Sequence, residues 1–199
     1  MTGSHTRQQL TLSVSRAELP RFYALFQRGV GTRAAAGSSV HDFLTCELGL
    51  APDYVRGRIT TVFLDGQVVD VLEDAALRDG SLLALSAAMP GLVGATLRRS
   101  SPYAVMRAAI TRTADGAPAE TGTGTVLIRL KLFNLLLEEM GPALLEHGIV
   151  LDRGDVLGAL GDRAETLTDL PAGGEVELRL RVTGRRASTG PARRTPPSS

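Results

Sequence analysis

The segment Met89–Arg112 combines residue types that are suited to binding an anion or a carboxylate. Glycines expose backbone N–H groups, arginines supply guanidinium donors and a tyrosine adds a hydroxyl, so together they can satisfy the oxygens of a negatively charged ligand. The same segment is apolar enough to form a partner surface, or to pack its apolar residues in the core with its arginines in solvent. The residues predicted to bind a ligand or partner are Pro90, Gly91, Gly94, Arg98, Arg99, Tyr103 and Arg107.

The remaining polar residues do not have the spacing of a catalytic or metal site. His41 and Cys46 are five positions apart, whereas two ligands on one helix face need a separation of three or four. The sequence contains no zinc-site spacing, nucleotide-binding loop or Gly-x-Ser-x-Gly element. The adjacent acids Glu138 and Glu139 are interpreted as the polar face of a helix. We therefore predict no catalytic residue, no metal and no cofactor.

The distribution of charge disfavours nucleic acid as the main partner. The chain has a formal net charge of +1, and four arginines without an acid give residues 185–199 a charge of +4, which leaves −3 for the rest. A slightly acidic body is unsuited to a phosphate backbone. Residues 185–199 are rich in Pro, Ser and Arg and are predicted to form a disordered basic tail. A protein partner or an anionic small molecule fits these charges better.

Cysteine content and hydropathy indicate a cytoplasmic protein that does not contact a membrane. The single cysteine, Cys46, cannot form a disulfide within the chain, which fits a reducing compartment. Residues 1–9 are polar, lack the apolar region of a signal peptide and are predicted to be a disordered arm. The longest uncharged run, Ser81–Leu97, is interrupted by Gly and Pro and falls short of the roughly 20 apolar residues of a spanning helix.

Hydrophobic periodicity predicts an α+β fold for residues 10–97. Alternation at 10–14 indicates a strand, and an apolar stripe at 19–26 indicates a helix. A short strand at 32–36, a helix capped by Ser39, and a hairpin turning at Asp65-Gly66 follow. A strand at 82–85 comes next, and residues 89–94 are interpreted as a bend. A mixed sheet packed by helices accommodates this order.

Residues 125–184 are predicted to form a second α+β half. Alternation over Thr125–Phe133 predicts a strand, and a helix from Asn134 is expected to break at Gly141-Pro142. Asp155 is expected to cap a short helix, and a last strand covers 176–182. Residues 98–124 form a connecting segment with a candidate strand at 103–111. The second half repeats the element order of the first, which is either a duplication or two halves built from common parts.

Three stretches of the first half resemble the ubiquitin-like β-grasp sulfur carriers, namely the molybdopterin-synthase small subunit and the thiamine-pathway carrier. They are Ala36–Leu44 at a helix start, Val62–Val69 at the hairpin and Leu77–Leu85 at a strand. The resemblance covers residues 10–91 and implies a β-grasp-like mixed sheet with packed helices. The chemistry of that family requires a free C-terminal Gly-Gly. Residues 89–94 lack this pair and the chain continues, so the resemblance does not carry the chemistry over.

Three functions remain open from the sequence. The preferred one is a non-catalytic protein-interaction module built on the β-grasp-like domain, because no catalytic set of residues assembles. The second is a binder or enzyme that acts on an anionic small molecule at Met89–Arg112. The third is a sulfur carrier released by proteolytic processing.

Overall fold

The computed structural model describes residues 8–87, 91–99, 102, 124–161 and 174–183. Its α+β architecture confirms the fold class expected from the sequence. Residues 8–99 form β1 (Gln8–Ser15), α1 (Pro20–Arg28), β2 (Val30–Ala35), α2 (Val40–Asp42), α3 (Pro52–Arg58), β3 (Thr61–Leu64), β4 (Gln67–Val68), β5 (Leu82–Ser86) and α4 (Gly91–Leu97). A 3₁₀ turn at Arg16–Glu18 precedes α1, and a π-helical turn at Phe43–Glu47 follows α2. Residues 124–183 form β6 (Thr125–Phe133), α5 (Leu136–His147), β7 (Ile149–Asp152), α6 (Arg153–Leu160) and β8 (Glu175–Thr183).

Strands from both halves interleave in one eight-stranded mixed sheet. The strand order is β1-β8-β7-β2-β6-β5-β3-β4. Strand β6 lies between β2, to which it is antiparallel, and β5, to which it is parallel, while β1 pairs in parallel with β8. The two predicted halves therefore share a sheet. The boundaries predicted at 97 and 124 stay a prediction, because most of the chain between them lies outside the described residues.

The hydrophobic core lies between one face of the sheet and helices α1, α5 and α6. The buried side chains of these helices belong to the same apolar cluster as the inward-facing strand residues. In β6, Ile128, Leu130 and Leu132 are buried while Arg129 is exposed, which confirms the predicted alternation. The helices thus cover one face of the sheet, and alternate residues of β2, β6 and β8 point to the other.

Two local signals in the sequence are confirmed. The Ser39 side chain accepts a hydrogen bond from the backbone N–H of Asp42 at 3.0 Å and caps α2. Asp65 and Gly66 have φ angles of 52° and 82°, so this pair makes the turn that joins β3 to β4. Positive φ at both central residues is typical of a two-residue hairpin turn, which explains why the Asp-Gly pair was a strong signal.

Helix α5 does not break at Gly141-Pro142, so that prediction was wrong. The helix runs unbroken from Leu136 to His147, with buried residues before and after the proline. A Cβ atom at Gly141 would lie 3.1 Å from Cε1 of Tyr23, so the glycine allows α1 to pack closely against α5. Burial of Met140 and Leu144 on either side offsets the roughly 3 kcal/mol that an interior proline costs a helix.

Two further element predictions need correction. Asp152, not Asp155, occupies the position that precedes α6, and Asp155 lies in the first turn of the helix. There it accepts a hydrogen bond from Arg28 at 2.8 Å, which ties α6 to the end of α1. Residues 91–97 form helix α4 rather than part of a bend. Gly91 and Gly94 lower the helix propensity of this stretch, so its sequence pattern did not predict a helix.

A cluster of three polar side chains joins α3 of the first half to α5 of the second. The Tyr54 hydroxyl donates to Glu139 at 2.7 Å, and the Nε atom of Arg58 donates to the same carboxylate at 2.9 Å. The hydrogen bond from Arg58 holds the pKa of Glu139 below its usual value, against the opposing effect of burial, and Tyr54 adds to the lowering. Burial raises the pKa of Tyr54, and the hydrogen bond to Glu139 raises it further.

Replacing Glu139 by glutamine is expected to weaken the dependence of stability on acid. A carboxylate whose pKa is lowered by folding stabilises the protein above its unfolded value of about 4.3, and this contribution is lost as the pH falls through the folded value. The free energy of unfolding, measured by urea titration from pH 7 to pH 3, should therefore fall less steeply for Glu139→Gln than for the wild type. Glu138→Gln is the control, because it removes the same charge from an exposed neighbouring position. Identical acid profiles for the two variants would contradict the assignment.

Candidate functional site

The face of the sheet opposite the core carries a row of basic side chains. Alternation places Arg179 and Arg181 of β8, Arg33 of β2, and Arg129 and Lys131 of β6 on this side. Lys131 is half-buried and the four arginines are exposed, with 47% of the Arg33 side chain and 51% of the Arg179 side chain accessible. We call these five residues the basic sheet face. Its exposed cations lie on adjacent or nearby strands, and neighbouring strands of a sheet are about 4.8 Å apart.

Glu177 is a buried acid in the middle of this basic surface. Only 5% of its side chain is exposed. Its Oε2 atom accepts from Arg33 at 2.6 Å and 3.2 Å, and its Oε1 atom lies 3.5 Å from Nη2 of Arg179. A buried carboxylate needs such partners, because an unpaired charge out of water is costly. Glu177 therefore fixes the position of Arg33 and holds Arg179 more loosely.

A glycine between the strands makes this arrangement possible. Strand β7 lies between β2 and β8, so Arg33 reaches Glu177 across the beginning of β7. Gly148 occupies this point, with φ of +114°, and a Cβ atom here would lie 3.4 Å from both Oε1 of Glu177 and Nε of Arg179. The absence of a side chain at Gly148 leaves the space that the two arginines and the glutamate share.

A pocket of about 260 Å³ opens beside Gly148 where β2 and β7 separate. In the described part of the sheet these strands pair only at Gly31 and Val150. Strand β2 continues beyond the point where β7 begins, so β7 does not cover the end of β2. At the uncovered end of β2, the Glu47 carboxylate accepts the backbone N–H of Ala35 at 3.1 Å and 3.2 Å. The pocket is lined by Arg33, Ala34, Ala35, Glu47, Thr125, His147, Gly148, Val150, Glu177 and Arg179.

The predicted segment Met89–Arg112 is only partly described. Gly91 and Gly94 lie in α4, Gly94 is buried, and Arg98 is exposed just after the helix. The other predicted residues, Pro90, Tyr103 and Arg107, lie outside the described residues, as does the candidate strand at 103–111. Their role in binding a ligand or partner stays a prediction.

Arg99 has a defined role in packing. Its side chain donates to the carbonyl of Val55 at 2.9 Å and to the carbonyl of Ile59 at 2.7 Å and 3.1 Å, at the end of α3. Its backbone N–H donates to the carbonyl of Thr60 at 2.8 Å. Burial lowers the pKa of Arg99, while Glu73 and Asp70 act in the opposite direction. The guanidinium thus attaches the segment after α4 to the end of α3.

The sequence pattern did not single out the residues of the pocket. Arg33, Glu177 and Arg179 alternate with apolar residues, a pattern that indicates a solvent-facing strand surface and nothing more specific. That Glu177 is buried depends on Arg33, which is 144 residues away in sequence. Gly148 is a signal that sequence reasoning could have used. It ends α5 before β7 in the way that Gly29 ends α1 before β2, and both glycines have positive φ.

Metal ligands, membrane helices and comparisons with known proteins add no assignment to this geometry. His41 and the exposed Cys46 do not join a metal site, since residues 8–87, 91–99, 124–161 and 174–183 contain no group of three or more potential ligands. In the same ranges no helix has the length and apolar character needed to cross a membrane. No protein-family model, curated protein or solved structure matches the chain.

Proposed function

We propose that the protein is a non-catalytic interaction module that binds an acidic segment of a partner protein on its basic sheet face. The observation that carries the proposal is the exposure of four arginines on a sheet face opposite the helices. Successive outward residues of a strand, such as Arg179 and Arg181, are about 6.8 Å apart. An extended acidic peptide presents its alternate side chains at the same interval, so several pairs can form at once.

A relationship of residues 10–91 to the ubiquitin-like β-grasp carriers remains part of this proposal. The Ser39 cap and the hairpin at Asp65-Gly66 support it, because they lie in the stretches that carry the resemblance. A cytoplasmic location is proposed on the single cysteine, Cys46. Neither point is needed for the binding experiment.

Charge reversal on the basic sheet face tests the proposed function. The probe is a fluorescently labelled octaglutamate peptide, and the measurement is its anisotropy at about 30 mM salt, where screening is weak. Wild-type protein should bind the peptide, and a variant with Arg129→Glu, Lys131→Glu and Arg181→Glu should bind more weakly by about tenfold or more. The variant loses three ion pairs, each worth about 0.2–1 kcal/mol, and its new glutamates also repel the peptide.

The matched control changes the same number of charges elsewhere. Arg16, Arg21 and Arg56 are exposed and belong to the helical side of the chain. Their replacement by glutamate alters the net charge equally and should leave most of the affinity intact. Equal losses in the two variants would mean that only the net charge matters, and no binding by the wild type at low salt would refute the proposal.

A further inference from the structure

We propose that the pocket between β2 and the start of β7 binds a small zwitterion that carries one carboxylate and one ammonium group, as a free α-amino acid does. The pocket shares Arg33 and Arg179 with the basic sheet face, but the inference does not require that face to bind a peptide. Its test changes Glu47 and Arg179, whereas the test above reverses Arg129, Lys131 and Arg181, so the two proposals can fail separately. Three properties of the pocket support it: its size, its balance of charge and the contacts that its charged side chains already make.

The size of the pocket limits the ligand to a small molecule. Its volume is about 260 Å³, and sites for drug-sized ligands typically measure about 300–1,000 Å³. The small residues Ala35 and Val150 are among those that line it, which leaves room for a short aliphatic group. A free amino acid fits such a space.

The charges around the pocket favour a ligand with no net charge. Two arginines and two glutamates line it together with His147, so the formal charges cancel when the histidine is counted as neutral. A phosphate or a dicarboxylate would bring net negative charge close to Glu47 and Glu177. A simple amine would likewise bring an unbalanced positive charge close to Arg33 and Arg179. A zwitterion can meet an opposite charge at each end, and this arrangement adds no unbalanced charge beside the buried Glu177 carboxylate.

Arg179 is the group suited to the ligand carboxylate. Arg33 is already held by Glu177 at 2.6 Å, whereas the nearest contact between Arg179 and Glu177 is 3.5 Å. A guanidinium carries five N–H donors, and a planar carboxylate can accept two of them at once. Because Gly148 has no side chain, the ligand can approach the Arg179 guanidinium from the pocket.

Glu47 is the group suited to the ligand ammonium. Glu47 is half-buried, and its carboxylate accepts one backbone N–H, that of Ala35. A carboxylate offers about four lone-pair positions, so it retains the capacity to accept from an ammonium group. The donor that holds it is a neutral backbone N–H, and therefore the negative charge of Glu47 is not cancelled by that contact.

Binding of amino acids is tested first with the wild-type chain. The probes are the twenty proteinogenic L-amino acids, each titrated to about 10 mM and followed by amide chemical shifts in two-dimensional NMR. At least one should shift the amides of Ala35, Gly148 and Arg179 in a saturable manner. The analogue of this amino acid without the ammonium group, and the analogue without the carboxylate, should each bind at least about tenfold more weakly.

Two substitutions assign the two ends of the ligand. Arg179→Gln and Glu47→Gln should each weaken binding of the amino acid at least about tenfold, while Arg179→Lys, which keeps the positive charge, should retain more affinity than Arg179→Gln. Arg21→Gln, an exposed position on α1, is the control and should bind as the wild type does. Unchanged amide spectra outside the pocket would show that each variant is folded.

Three results would overturn the inference. One is the absence of saturable shifts with any of the twenty amino acids. Another is an analogue with a single charged group that binds as tightly as the amino acid, which would make the pocket a site for that group alone. The third is a loss of affinity in Arg21→Gln equal to that in Arg179→Gln, which would mean that binding does not occur in the pocket.

Discussion

Replacing Leu130 by alanine is expected to lower the free energy of unfolding by about 2–5 kcal/mol. The Leu130 side chain is fully buried, and its strand, β6, pairs on one side with Val30 of β2 and on the other with Leu83 of β5. Truncation leaves a cavity beside the strand that both halves of the chain share. Because the protein has no tryptophan, urea unfolding followed by far-UV circular dichroism is the suitable measurement.

Leu135→Ala is the matched control for this substitution. Leu135 lies five residues later and its residue exposure is 49%, so the same chemical change should alter stability by less than about 0.5 kcal/mol. The shared sheet also predicts one cooperative transition, which Leu130→Ala should shift as a whole. Two separate transitions, with only one of them affected, would contradict a sheet in which both halves depend on β6.

Replacing Gly31 by alanine is expected to destabilise the protein by about 1–3 kcal/mol, the usual cost of overpacking. A Cβ atom at Gly31 would lie 2.9 Å from Cβ of Val150 and 3.2 Å from its backbone oxygen. Neither atom belongs to the flexible end of a side chain, so the strands themselves must move apart. Gly31 and Val150 form the described pairing between β2 and β7, and amide hydrogen exchange should therefore accelerate at β7 in addition to the loss measured by urea.

The control for Gly31→Ala is Gly57→Ala, and the two should have opposite signs. Gly57 lies in α3, and a Cβ atom there would have no neighbour within 4 Å. Alanine is the better helix former, so this substitution should stabilise the protein by up to about 1 kcal/mol. Stabilisation by both substitutions would mean that β2 and β7 do not approach each other as closely as the structure indicates.

The elements that the sequence predicted correctly depend on interactions between residues close in the chain. Alternation of apolar residues identified β6 and β8, the Asp65-Gly66 pair identified a hairpin, and Ser39 identified a helix start, because each pattern reflects a local conformational preference. The prediction of a break at Pro142 was wrong because it considered only the local preference of proline. Packing of α5 against α1, which no local pattern contains, offsets the cost of that proline.

The candidate pocket could not be predicted in the same way. Glu177 alternates in β8 like any solvent-facing residue, and only the position of Arg33 across β7 explains its burial. The order of strands decides which side chains meet, and partner strands far apart in sequence leave no periodic signal. The sequence shows which charged residues alternate along these strands. Only the order of the strands in the sheet shows that they meet at Gly148.

The parallel pairing of β1 with β8 has a consequence during protein synthesis. Val14 of β1 and Thr183 of β8 are in contact through a hydrogen bond although they are 169 residues apart. On the ribosome, Val14 emerges 169 residues before Thr183, so β1 waits without its partner strand while the intervening chain is translated. At about 5–20 residues per second this takes about 10–30 seconds. The early strand therefore spends that time exposed to pairing with other chains, and folding is expected to be rate-limited by this final long-range closure.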